Sequence, residues 1–107
     1  MNHDHGLSQR SIDTMHNIFR KYESLNRVIL YGSRAMGNYK NGSDIDITLE
    51  TGENFTDRDL LRICGELDDS DLPYFVDCSI LANIKSQELR EHIARVGKVL
   101  YERCGSD

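Results

Sequence analysis

The stretch that most constrains this 107-residue chain is residues 30–49, LYGSRAMGNYKNGSDIDITL. It opens in the apolar run Val28-Ile29-Leu30-Tyr31, whose unbroken β-forming side chains predict a strand covered on both faces. Gly32 stops that strand. Ser33 is a good cap and Ala35 a good helix former, so residues 33–36 are expected to make one helical turn, closed by Gly37. Residues 38–43 are loop by composition, and Asn41-Gly42 is the strongest turn dipeptide in the chain. A second strand follows, in which Ile45 and Ile47 alternate with Asp44, Asp46 and Thr48. The carboxylates therefore share one strand face and the isoleucines the other.

That order of strand, turn, loop and acid-bearing strand has a chemical reading. A glycine at a strand end lets a phosphate approach the backbone, and the helix start after it presents free N–H groups and the positive end of a dipole. Ser33 adds a hydroxyl donor. Arg34 and Lys40 lie near enough in sequence to contact the phosphates or a leaving pyrophosphate. Asp44 and Asp46, joined by a third carboxylate from a neighbouring strand, would make a hard, all-oxygen site of the kind magnesium prefers. Three carboxylates held close repel one another and take up protons unless a cation neutralises them. The same group can hold two ions about 3.5–4 Å apart, which together stabilise an in-line displacement at phosphorus.

The rest of the chain supplies elements to carry that site. Ser8 caps a helix with Ile12, Met15, Phe19 and Tyr22 at three- and four-residue spacing, and His16 beside that stripe borders the core. Thr56 caps another, with Asp59 three residues on and a stripe of Leu60, Ile63, Cys64 and Leu67. After Pro73, residues 74–81 read as a third strand with Phe75, Asp77 and Ser79 on one face and Val76, Cys78 and Ile80 on the other. Asp77 is then the candidate third carboxylate. Ser86 opens a last helix with Leu89, Ile93 and Val96, ended by Gly97, and Val99-Leu100-Tyr101 is a short apolar segment that packs back onto the core. The expected fold is α/β: a small three-stranded mixed sheet flanked by about four helices. It forms a single domain over residues 1–107, with residues 1–7 a frayed terminus in which His3-Asp4-His5 is solvated.

Composition narrows the function classes. A formal net charge of −5 disfavours nonspecific binding to a nucleic-acid polymer, while a small nucleotide neutralised by a cation and one or two basic groups is compatible with it. No apolar run approaches a membrane span and no signal-peptide centre is present, so the cytoplasm is the expected location. Cys64, Cys78 and Cys104 are odd in number and widely spaced, and read as reduced thiols. Taken singly, a Gly-Ser after a strand is usually a turn and D-x-D a solvated strand end; their succession, with Asp77 in a third strand, is the stronger signal. No histidine lies in a motif beside Ser33 or Ser43, so neither reads as a nucleophile.

Gly32-Ser33, ten residues, Asp44-Ile45-Asp46 and a later Val76-Asp77-Cys78 together resemble the signature of the polymerase-beta-like nucleotidyltransferase superfamily. The chain from Ser8 to Arg103 is similar to its smallest members, the minimal nucleotidyltransferases. The resemblance implies a polymerase-beta-like core and magnesium, two ions, held by Asp44, Asp46 and Asp77. It also implies nucleoside triphosphate binding by the Gly32-Ser33 turn, with Arg34 and Ser43 as further nucleotide-binding candidates. Asp77 would take the proton of the acceptor. It further implies a partner, since in this family a small helical HEPN-type protein commonly supplies the missing domain. In some such pairs the nucleotidyltransferase is the antitoxin and transfers AMP from ATP to the toxin. Independently, the predicted elements consume nearly all of the chain, leaving little to hold an acceptor. Two other readings stand beside the enzyme: a non-catalytic nucleotide-binding subunit that regulates a HEPN-type partner by binding it, and an α/β domain with an incidental cation site.

Overall fold

The computed structural model describes residues 6–40 and 42–103. Helix α1, Gln9–Phe19, starts where the Ser8 hydroxyl accepts the Ser11 N–H at 3.1 Å. Strand β1, Leu25–Tyr31, leads through Gly32 into the single turn α2, Ser33–Met36, and the loop after it delivers β2, Ile45–Thr51. Helix α3, Asp57–Asp69, begins in a reciprocal capping box: Thr56 Oγ1 accepts the Asp59 N–H and Asp59 accepts the Thr56 N–H. Strand β3, Val76–Ile80, passes through a 3-10 turn at Leu81–Asn83 to α4, Gln87–Val96, and β4, Lys98–Glu102.

The sheet order is β3-β2-β1-β4. β1 runs antiparallel to both β2 and β4, whereas β2 and β3 are parallel because the chain crosses over through α3 between them. Arg27 stands opposite Glu50 and donates to it at 2.7 and 3.1 Å, a cross-strand pair that supports this register. Val28, Leu30, Ile45, Ile47 and Leu49 form the core with Met15 and Phe19 of α1 and Ile63 and Leu67 of α3. α4 covers part of β1, where a Cβ on Gly97 would meet Ile29 Cγ2 at 2.7 Å. Thr48 is fully buried, and its hydroxyl is satisfied by Ser79 Oγ at 3.1 Å.

Two expectations change. The sheet has four strands rather than three: Lys98–Glu102 pairs with β1 instead of only packing against the core. Five residues without clean alternation carry little strand signal; the close approach at Gly97 turns them onto the sheet. The pairing is bulged, since Val28 faces Tyr101 while Ile29 faces Val99, leaving Leu100 over. His16 Nε2–H donates to the Leu100 carbonyl at 2.6 Å, consistent with its place at the core border. Leu7, placed by sequence in the frayed terminus, is instead 4% exposed and joins the core. His3-Asp4-His5 lies outside the described residues, as do Asn41 and Cys104. Among the described residues no helix is long and apolar enough to cross a membrane.

Candidate active site

The register brings the acids together. Asp46 on β2 stands between Tyr31 of β1 and Asp77 of β3, and the Ile45 N–H donates to the Phe75 carbonyl at 2.9 Å, tying the start of β2 to the approach of β3. Asp44, just before β2, and Asp77 are exposed; Asp46 is half-buried. Burial raises the Asp46 carboxyl above its ordinary value, and the charges of Asp77 and Asp44 raise it further. Among the described residues none of the three is in an ion pair. As they lie, no three His, Cys, Asp or Glu groups among the described residues converge closely enough to hold an ion. The donor chemistry nonetheless fits a hard divalent cation: oxygen ligands only, in mutual repulsion that a cation would relieve.

Gly32 lies directly against Asp46. Its φ is +79°, and a Cβ built on it would stand 2.5 Å from Asp46 Oδ2. The turn is thus shaped around the acid. Gly32, rather than Ser33, is the N-cap of α2, and no side chain caps the helix. The reason is that Ser33 has already entered the turn: its carbonyl accepts the N–H groups of Gly37 at 2.9 Å and Asn38 at 3.1 Å. Among the described residues the Ser33 hydroxyl has no hydrogen-bond partner, which leaves it available to a ligand.

Arg34 takes a different position from the one its sequence neighbourhood suggests. It is 2% exposed, its Nε and Nη2 donate to the Ser43 carbonyl at 3.1 and 3.0 Å, and its guanidinium lies 4.8 Å from the Tyr39 ring centre and 4.5 Å from that of Tyr74. The side chain is turned beneath the loop between the two motifs. Ser43 closes that loop: its hydroxyl accepts the Lys40 N–H at 2.9 Å and its own N–H donates to the Lys40 carbonyl at 3.0 Å. Lys40 itself is exposed.

Two residues at the site were not singled out by sequence. Tyr31 ends β1 opposite Asp46, and burial raises its hydroxyl, with the charges of Asp46 and Asp77 adding to the effect and Ser79 opposing it. His92 reaches over from α4: its Nε2 accepts the Gly32 N–H at 3.2 Å, and its ring meets Tyr31 edge-on with centres 6.2 Å apart. Leu89, His92, Ile93 and Val96 share helical spacing, the one signal that could have placed His92 inward.

The sequence profile described as "Polymerase beta, Nucleotidyltransferase" matches residues 13–104. The chain belongs to this nucleotidyltransferase family. Solved structures place the same fold in company. A toxin-antitoxin crystal structure with AMP-PNP superposes on this nucleotidyltransferase with TM-score 0.70 at 23% identity, over 87% of this chain and 74% of the other. The tri-AMPylated Shewanella oneidensis HEPN toxin in complex with MNT antitoxin gives TM-score 0.67 at 21% identity, covering 91% and 74%. The toxin-antitoxin MntA-HepT gives 0.66 at 22%, covering 90% and 74%. At these identities the likeness is one of fold. A search of curated protein sequences returns no match.

Proposed function

We propose that this nucleotidyltransferase transfers a nucleoside monophosphate, AMP from ATP, in a magnesium-dependent reaction, to a hydroxyl of a helical HEPN-type partner or of a small molecule. The observation that carries the reading is Asp46, flanked by Asp77 and Asp44, directly against the Gly32 turn. Asp44, Asp46 and Asp77 would hold magnesium, two ions, which when bound supplies charge neutralisation at the phosphates and activation at phosphorus. The Gly32-Ser33 turn binds the triphosphate, Ser33 through its N–H and hydroxyl and Gly32 by letting the phosphates approach the backbone. Arg34 and Ser43 act beside them by holding the loop that joins the turn to the acids. The acceptor hydroxyl oxygen attacks the α-phosphorus, the bond to the bridging α–β oxygen breaks, and pyrophosphate leaves. Asp77 takes the hydroxyl proton.

Two relatives support the finer points by what they contain: one was crystallised with AMP-PNP, and in another the HEPN toxin carries AMP. The free thiols of Cys64 and Cys78 suit the cytoplasm, where we place the protein. The decisive experiment co-expresses the chain with its HEPN-type partner, adds ATP and magnesium, and measures intact masses. Wild type is expected to add AMP units to the partner, while Asp44→Ala and Asp46→Ala add none and stay folded. Partner neutralisation that persists in both variants, with no adduct in wild type, would favour the binding-only reading. Undiminished pyrophosphate release by both variants would overturn the assignment of the acids.

A further inference from the structure

Gly32 is held from two directions. Its carbonyl accepts the Met36 N–H at 3.1 Å, the one bond that starts α2, and its N–H lies beyond the last ladder pair of β1, Tyr31 with Asp46. No strand can take that amide, and His92 Nε2 does so at 3.2 Å. A ring nitrogen that accepts an N–H carries no proton, so Nδ1 holds the imidazole hydrogen. The ring is fixed in turn by its helix. Ile93, the next residue, is 5% exposed, Gly97 closes on Ile29, and the Tyr31 ring meets the imidazole at an interplanar angle of 80°. One side chain from α4 thus touches the backbone of the turn, packs on the residue opposite the central acid, and is itself braced by the core.

We propose that His92 is a positioning residue of the nucleotide site, whose imidazole fixes the Gly32 amide and so presets the Gly32-Ser33 turn for a nucleoside triphosphate. The assignment rests on the nucleotidyl-transfer reading. It explains how a turn with positive φ and a four-residue helix, neither stable alone, keeps one shape before ligand arrives.

The test compares wild type with His92→Phe, which keeps a ring against Tyr31 but no acceptor, and His92→Gln, whose amide oxygen can take the place of Nε2. Affinity for magnesium AMP-PNP is measured by calorimetry, and the Gly32 amide by hydrogen exchange in proton–nitrogen spectra. Loss of one partly buried hydrogen bond predicts that His92→Phe exchanges Gly32 faster and binds the nucleotide about threefold to tenfold more weakly. His92→Gln restores both. A folded Phe variant that binds as tightly as wild type overturns the proposal, as does a Gln variant that protects Gly32 without recovering affinity. Should the Phe variant not fold, His92→Asn, too short to reach the amide, replaces it with the same expectations. If wild type itself shows no magnesium-dependent nucleotide binding, the transfer reading falls and this inference with it. That failure is distinct because in the others wild type binds.

Discussion

Replacing Gly32 by alanine would set a methyl carbon 2.5 Å from Asp46 Oδ2 on a backbone with φ of +79°. The variant is expected to lose about 1–3 kcal/mol in urea unfolding and to bind magnesium nucleotide more weakly, because the carboxylate must move. Calorimetry on the folded variant checks the second effect separately. At this scale the sequence was informative where a residue's role depends on its neighbours in the chain. Asp44 and Asp46 follow from alternation, and Gly32 from its place at a strand end. It was silent where the role depends on distant partners. Arg34 points inward because Tyr39, Tyr74 and the Ser43 carbonyl receive it, and Tyr74 is forty residues away. His92 meets Gly32 across sixty.

Among the elements, α3 decides whether a site can form, because as the crossover between β2 and β3 it makes those strands parallel and sets Asp77 beside Asp46. Its outer surface is tied to the turn after α1, where Glu66 accepts from both Lys21 Nζ and the Tyr22 hydroxyl. These hydrogen bonds hold the Glu66 carboxyl below its ordinary value, and burial with Glu66 alongside pushes the Tyr22 hydroxyl up to about 12. A depressed acid stabilises the fold above its unfolded value, and that contribution is lost as pH falls through the folded value. Glu66→Gln should therefore cost about 0.5–1 kcal/mol at neutral pH, the figure for a largely surface ion pair, with the gap from wild type closing below about pH 4. Thermal unfolding across pH 3–8, about the span over which a glutamate titrates fully, checks it. The caps at Ser8, Thr56 and Ser86 were legible because a hydroxyl before an apolar stripe is a local signal. β4 was not, since its strand identity comes from pairing with β1.

In the molecule as a whole, the proposed site joins the sheet's centre to its edge: Asp46 lies on an inner strand and Asp77 on five-residue β3, which has one neighbour. Amides of β3 should exchange faster than those of β1, and magnesium with AMP-PNP should slow β3 selectively by bridging the two strands. Hydrogen exchange by mass spectrometry checks this; equal slowing everywhere would point to general stabilisation instead.

The other edge of the sheet behaves differently. On β4 the bulge leaves Leu100 out of step with β1, and His16 already occupies its carbonyl. A strand from another molecule arriving there would meet a broken row of acceptors, so this border resists the edge-to-edge stacking through which sheets aggregate. A side chain on the first helix is thereby expected to hinder such stacking.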